Sequence, residues 1–363
     1  MYKKRYIAVI GTVGVPANYG GFEALVENII SYNEDAEFTV FCSARSYSRK
    51  LQSYKGARLV YVPFLHANGA ESIPYDIVSM LMCVGRGFDT VLILGVSGCI
   101  FLPIFSLLFR GRIVVNIDGL EHKRDKWGKA ARWFLRTSEA VAVRYADVVV
   151  SDNKGIYDYV VDTYGKQSEL IAYGGDQALC SVAPDVAAET LLKHDLVDKQ
   201  YAITVCRIEP ENNCHVILDA FAGTDKLLVF VGNWDKSEYG IELKNRYSHY
   251  DNIHILPPIY DLDVLYVLRS NARWYIHGHS AGGTNPSLVE AMYFRIPIIA
   301  FDVVYNRATT EDSALYFSNA ETLRQLILSA PDSELEAVAS VMKEIADRRY
   351  RWDIVAKQYA ELY

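Results

Sequence analysis

Three stretches of this 363-residue sequence bring together residue types that could do chemistry. The first runs Gly11-Thr12-Val13-Gly14-Val15-Pro16-Ala17-Asn18-Tyr19-Gly20-Gly21-Phe22-Glu23. Glycines between a strand and a helix let backbone N–H groups approach an anion, and the helix N-terminus adds partial positive charge. The spacing is not Gly-x-Gly-x-x-Gly, there is no phosphate-loop lysine, and no acidic residue ends the second strand, so a dinucleotide site is disfavoured. The second stretch is Cys206-Arg207-Ile208-Glu209-Pro210-Glu211-Asn212-Asn213, where Arg207 can present a planar, permanently charged fork to a diphosphate. The third is His277-Gly278-His279-Ser280-Ala281-Gly282-Gly283-Thr284-Asn285-Pro286-Ser287-Leu288-Val289-Glu290-Ala291-Met292. A helix should open at Pro286, with either Thr284 or Asn285 as its N-cap. Free N–H groups of that first turn would suit a diphosphate. Glu290, one turn further in, would accept hydrogen bonds from a ribose hydroxyl. A capped helix with a solvated glutamate is the plain alternative.

Each stretch follows a strand-like run, and the elements that must position them alternate throughout. Ile7–Ile10, Phe38–Cys42, Arg58–Val62, Thr90–Leu94, Ile113–Ile117 and Val148–Val150 are apolar and β-branched. Helix-sized segments such as Phe22–Tyr32 and Lys129–Tyr145 lie between several of them. Strand and helix in repeated alternation predict a parallel doubly wound sheet. After Gly174-Gly175-Asp176 the pattern restarts with strands Tyr201–Cys206, Leu227–Val231, Ile253–Leu256, Trp274–His277 and Ile296–Phe301. Thr322–Arg348 reads as helical, and Trp352–Tyr363 as a final amphipathic helix. The expected fold class is α/β, with two Rossmann-like domains over residues 1–173 and 174–348 and a closing helical segment over 349–363. Length alone points to about two domains. Ligands of such sheets bind outside the carboxyl ends of the strands, and two domains facing each other would make a cleft.

With 37 basic and 44 acidic residues the net charge is −7, which argues against a nucleic-acid binder. The six cysteines are scattered with no Cys-x-x-Cys pair, so neither a zinc site nor a disulfide framework is expected, and buried thiols in a reducing cytosol are. Thr90 to Phe109 carries no charge and is long enough to span a bilayer. Gly95, Ser97, Gly98 and Pro103 break it, so a buried strand followed by a short apolar helix over Ile100–Phe109 is expected instead. Downstream, His122-Lys123-Arg124-Asp125-Lys126-Trp127 with Lys129, Arg132, Trp133, Phe134 and Arg136 forms a basic, aromatic stretch in an acidic protein. It suits an anionic lipid surface or a lipid pyrophosphate, or else is a solvated helix face.

The order strand–Arg-x-x-Pro-Glu-x-Asn, then Pro-Ser-Leu-Val-Glu-Ala-Met, resembles the family 4 retaining glycosyltransferases of the GT-B fold. The amino-terminal Gly-rich stretch, Asp118-Gly119-Leu120-Glu121, Ser151-Asp152-Asn153, Ala172-Tyr173-Gly174 and the His-Gly-His-Ser loop are similar to a bacterial rhamnosyltransferase group that builds capsule and lipopolysaccharide. The resemblance covers nearly the whole chain. It implies that Arg207 neutralises the donor diphosphate, Glu290 holds the ribose, and Thr284, Asn285, Pro286, Ser287 and Leu288 bind phosphate and sugar through their backbone. Gly20 and Gly21 would approach the donor from the opposite wall. Two departures stand out. Most of the broad family has a lysine where this chain has Asn212 and a glutamate where it has Gly282, so the usual sugar contact falls to His279 or Asn285. Asp118 is the first choice for a catalytic group on the amino-terminal side, with His122 second. The implied activity is metal-independent, cofactor-free transfer of a deoxyhexose from a dTDP- or UDP-sugar, L-rhamnose first, onto a lipid-linked saccharide at the cytoplasmic membrane face. A nucleotide-sugar epimerase of the same architecture and a silent sugar-nucleotide-binding partner of a synthase complex are the alternatives.

Overall fold

The computed structural model describes every residue except 1–3, 18–19, 34, 64–65, 68 and 125–126. It divides into two compact units, one of Met1–Tyr173 with Trp352–Tyr363 and one of Gly174–Arg351.

The first unit holds strands β1 (Arg5–Ile10), β2 (Ala36–Ser43), β3 (Ser53–Tyr54), β4 (Ala57–Val62), β5 (Thr90–Leu94), β6 (Arg112–Asn116), β7 (Val148–Ser151) and β8 (Glu169–Leu170). Its helices are α1 (Gly21–Tyr32), α2 (Ser72–Cys83), α3 (Leu102–Leu108), α4 (Lys129–Tyr145) and α5 (Lys154–Tyr164). The strands line up in the order 3-4-2-1-5-6-7-8, parallel except for the β3–β4 pair. Thr90 through Leu94 and Ile7 through Ile10 are buried, as runs of branched apolar residues between two helical layers must be.

The second unit continues with α6 (Pro184–Lys193), β9 (Tyr201–Val205), α7 (Cys214–Phe221), β10 (Leu227–Val231), α8 (Glu238–Tyr247), β11 (Ile253–Leu256) and α9 (Leu262–Ser270). Then follow β12 (Trp274–His277), α10 (Pro286–Met292), β13 (Ile298–Phe301), α11 (Val304–Thr309), β14 (Leu315–Phe317), α12 (Ala320–Ser329) and α13 (Asp332–Arg349). Its sheet runs 11-10-9-12-13-14, with every strand pair parallel. Strand order reverses between β1 and β5 in one sheet and between β9 and β12 in the other, the places where doubly wound sheets bind ligands.

Several boundaries differ from the sequence reading. The helix expected over Thr322–Arg348 is two, α12 and α13, because Pro331 lacks an N–H and holds Ala330 extended (φ −62°, ψ 126°). The strand expected from Ile296 begins at Ile298, after Pro297. Three strands of two or three residues, β3, β8 and β14, are too short to show a period in sequence. Thr90–Phe109 resolves into β5, a one-turn 3-10 helix Cys99–Phe101 and α3. No helix among the described residues is long and apolar enough to cross a membrane. Since α13 runs to Arg349, the closing segment starts at Trp352 as α14 (Trp352–Ala360), and it packs within the first unit. There Asn116 Nδ2 donates to Tyr359 Oη (2.7 Å) and Asn33 Nδ2 to the Ala356 carbonyl (3.2 Å). Of the six cysteines, Cys180 and Cys206 are partly exposed and the other four are buried, all as free thiols.

Candidate functional site

The chemistry-bearing stretches of the second unit meet at its switch point. β9 and β12 are neighbours, with Trp274 opposite Ala202 and Tyr275 opposite Ile203. The loops leaving their carboxyl ends, 206–213 and 278–285, are tied together. Asn213 Nδ2 donates to the Gly278 carbonyl (2.8 Å), and the Ser280 amide (2.8 Å) and hydroxyl (2.9 Å) both donate to the Glu211 carbonyl. A Cβ at Gly278 would stand 2.1 Å from the Asn212 carbonyl oxygen, so only glycine allows this approach. Arg207 therefore shares one end of the sheet with the loop that leads to Pro286. Its half-buried guanidinium lies 3.5 Å from the Glu209 carboxylate.

Asn212 and His279 meet inside this junction. Asn212 Nδ2 donates to the Arg207 carbonyl (2.7 Å), and its Oδ1 lies 2.6 Å from His279 Nδ1. Both residues are buried. The His279 carbonyl accepts from Asn306 Nδ2 (2.8 Å), which also holds the Phe301 carbonyl (2.8 Å). His277 on β12 is sealed in, with its Nε2 lacking a partner among the described residues, and burial pushes its pKa down to about 3.

At the start of α10, Asn285 is the N-cap. Its Oδ1 accepts from the Ser287 amide (3.0 Å) and hydroxyl (2.8 Å), and its carbonyl accepts from the Leu288 (3.0 Å) and Val289 (3.2 Å) amides. The free first-turn amides expected from the sequence are thus already occupied, because the cap satisfies the donors that a helix start leaves open. Thr284 and Leu288 are buried, and Pro286 begins a helix of seven residues. Glu290 is not merely solvated: its Oε2 accepts from the buried Arg269 (2.7 Å) and its Oε1 from Gln177 Nε2 (2.8 Å). Nothing local in sequence marks Arg269 or Gln177 as its partners.

In the first unit the Gly-rich stretch folds around its own carboxylates. Buried Glu23 accepts from the Thr12 hydroxyl (2.8 Å) and the Val13 amide (2.8 Å), and Glu27 accepts from the Ala17 amide (2.9 Å). That corrects the expectation of an amide nest open to an anion: two carboxylates take amides of the loop. Gly20 sits at φ 140°, where a Cβ would lie 1.9 Å from Glu23 Oε2, and Gly21 opens α1. Asn18 and Tyr19 lie outside the described residues. Asp118 follows β6 in a left-handed conformation (φ 56°), its amide bonded to Asn116 Oδ1 (2.9 Å). Strain of this kind at a strand's carboxyl end is a feature of functional positions.

The basic stretch is more engaged than its composition suggests. His122 Nδ1 lies 3.1 Å from buried Glu139, whose other oxygen accepts from Tyr159 (2.9 Å) and Tyr164 (2.8 Å). Lys123 sits over the Tyr159 ring (4.8 Å), Arg124 pairs with Glu121 (3.2 Å), and Trp127 Nε1 donates to Glu121 (3.0 Å). Lys126 lies outside the described residues. Lys123 stays exposed beside the Tyr159 ring, and on α4 the exposed cations and indole are Lys129, Trp133, Arg136 and Arg144.

Comparison with known proteins adds identity to this geometry. Residues 4–176 match a domain of unknown function (DUF1972), and residues 192–340 match glycosyl transferases group 1. Residues 192–340 form a glycosyltransferase group 1 domain, in a chain of GT-B fold. Among solved structures it is similar to a sucrose-phosphate synthase from Thermosynechococcus elongatus (16% identity, 99% of this chain and 98% of that one, TM-score 0.81). It is also similar to Anabaena Alr3699/HepE in complex with UDP-glucose (15% identity, 99% of each chain, TM-score 0.77). The S. aureus MnaA–UDP structure is a third (14% identity, 99% and 98%, TM-score 0.65). At these identities the likeness speaks for the fold alone. No curated protein sequence matches the chain. Arg207, His279 and Glu290 all fall within the group 1 domain, while Asp118 and Gly20 fall within the other matched region. Among the described residues no group of three His, Cys, Asp or Glu is placed to hold a metal ion.

Proposed function

We propose that the enzyme is a retaining, metal-independent glycosyltransferase that moves a deoxyhexose, L-rhamnose from a dTDP donor, onto a lipid-linked saccharide at the cytoplasmic face of the membrane. The observation that carries this reading is the junction of the two strand-end loops at the β9–β12 switch point, which gathers Arg207 and the 278–290 segment in a group 1 domain. Arg207 neutralises the diphosphate, and Glu290, held by Arg269 and Gln177, faces the ribose with an orientation already set. Attack occurs from the face the phosphate leaves, and the departing phosphate oxygen helps to take the acceptor's proton. The protein supplies orientation and charge stabilisation. Rhamnose is favoured by the resemblance of the amino-terminal motifs to a rhamnosyltransferase group; the likeness to HepE in complex with UDP-glucose keeps a UDP-sugar as the second donor. Asp118 is the amino-terminal group proposed to contact the reacting sugars. The lipid-linked acceptor is supported by the exposed cations and indole of α4 beside an apolar α3.

The test is a thermal-shift comparison of dTDP-, UDP- and GDP-sugars followed by a transfer assay. A dTDP-sugar should raise the melting temperature most, since a ligand that binds only the folded state stabilises it. Arg207→Ala should lower turnover about 100- to 1000-fold with the fold intact, the loss typical of removing one preorganised donor. Unchanged turnover in that variant, or a new sugar formed from donor alone as an epimerase would make, refutes the proposal.

A further inference from the structure

The opening segment of the second unit is pressed against α10. A Cβ on Gly175 would stand 2.8 Å from the Val289 carbonyl oxygen and 2.9 Å from the Glu290 nitrogen. The Gly175 amide donates to the Tyr350 carbonyl (2.8 Å), and its own carbonyl accepts from the Ala178 amide (3.1 Å). The one-turn 3-10 helix Asp176–Ala178 is thereby fixed beside Glu290, and its Gln177 side chain reaches the carboxylate. A carboxylate paired with arginine only accepts, so the Gln177 atom 2.8 Å from Oε1 is the NH2 group. Oε2 is held by Arg269 at 2.7 Å, and the Arg269 side chain is 5% exposed against 21% for Glu290. That guanidinium also lies over the Phe294 ring (6.0 Å). Oε2 is therefore turned inward, and Oε1, on the side of the half-buried Gln177, is the oxygen a ligand can reach. Each carboxylate oxygen offers about two acceptor positions. Gln177 fills one of them on Oε1 and leaves room for a single further donor.

We infer that Gln177 selects the pentose of the donor: the site takes a nucleoside diphosphate whose sugar presents one hydroxyl to Glu290, a 2′-deoxyribose, and a ribose gains nothing from its second hydroxyl. The 3′-hydroxyl, common to both sugars, donates to the position left on Oε1. A 2′-hydroxyl has to displace the Gln177 NH2 group to reach the same oxygen. That exchanges one hydrogen bond for another and leaves the amide to find a new partner. Gln177 is then the specificity-determining residue, and Arg269 a positioning residue that keeps Oε2 out of reach. This inference rests on the donor site proposed above, with Glu290 at the pentose, and adds to it the class of nucleotide the site prefers.

Titration calorimetry of UDP and 2′-deoxy-UDP on the full chain tests this, because the two nucleotides share base and diphosphate and differ in one hydroxyl. Wild type should bind 2′-deoxy-UDP at least as tightly as UDP. Gln177→Ala frees the second position on Oε1, so UDP should then bind about tenfold tighter than 2′-deoxy-UDP, the worth of one hydrogen bond to a charged group. Gln177 is partly exposed, so its truncation leaves the core untouched, and the wild-type comparison needs no variant at all. Glu290→Gln should weaken both nucleotides about tenfold, through loss of that charge-assisted bond. Wild type binding UDP about tenfold tighter than 2′-deoxy-UDP, or an unchanged ratio in Gln177→Ala, overturns the inference and leaves the donor site standing. Binding of neither nucleotide, or undiminished binding of both by Glu290→Gln, overturns the placing of the donor and this inference together.

Discussion

Asp76 shows what a single buried carboxyl group can do to the whole chain. It lies on α2 with Oδ2 accepting from the Gly98 amide (3.1 Å) and Oδ1 without a partner among the described residues. Desolvation lifts its pKa to about 8, against the one hydrogen bond that lowers it. The folded protein therefore keeps a proton that the unfolded chain gives up above its ordinary value near 4. Stability should fall as pH rises through that window and level off above about 8. Between pH 5 and 9 the loss from this group amounts to about 4 kcal/mol. Asp76→Asn should remove most of that slope, with the variant more stable than wild type at pH 9. Melting curves of both proteins across this range check it, and parallel slopes would dismiss the role given to Asp76.

At the scale of elements, α3 and α4 pack against each other and leave much apolar surface outside. Leu107 is 84% exposed, Trp133 71%, and Ile104 and Leu108 are also exposed. On α4 the sole acid is buried Glu139, so the exposed charge there is basic although the protein is net negative. An aliphatic helix beside Trp and Lys/Arg matches the boundary of an anionic bilayer, where indole sits at the headgroups and cations meet phosphate. Burying one leucine is worth about 1.5–3 kcal/mol. Leu107→Glu should thus weaken flotation with vesicles containing phosphatidylglycerol by about tenfold or more, with transfer to a soluble acceptor retained. Equal flotation with pure phosphatidylcholine would remove lipid charge from the account.

Across the molecule, the chain returns to complete its first unit. Trp352, Val355, Ala356, Tyr359, Leu362 and Tyr363 are buried in the core formed by β1, β2 and α1. Their combined burial is on the order of 10 kcal/mol, comparable with the whole margin of a folded domain. Deleting residues 352–363 should leave Gly174–Arg351 resistant to protease while the first unit is degraded. Survival of both units would show that α14 is dispensable. This return explains why a short amphipathic segment that has no strand partner nevertheless reads as strongly apolar on one face.

Most of the framework could be read from residue order, because strands buried on both faces are short runs of branched apolar residues and their period is local. The placement of Arg207 after a strand end and of Asn285 and Glu290 at a helix start was legible for the same reason, since each lies within a few residues of that element's boundary. The pairing of Asn212 with His279, the clamp of Arg269 and Gln177 on Glu290, and the closure of the Gly-rich loop on Glu23 were not. The first joins residues 67 apart and the Gln177 contact residues 113 apart, and no local pattern encodes such partners. The sequence also suggested amides left open for an anion, whereas folding gave those amides to Asn285, Glu23 and Glu27, since a buried donor without a partner is costly. Local propensity thus determined where the loops begin and end. Which oxygen each loop donor meets was decided by the neighbours that packing brought to it.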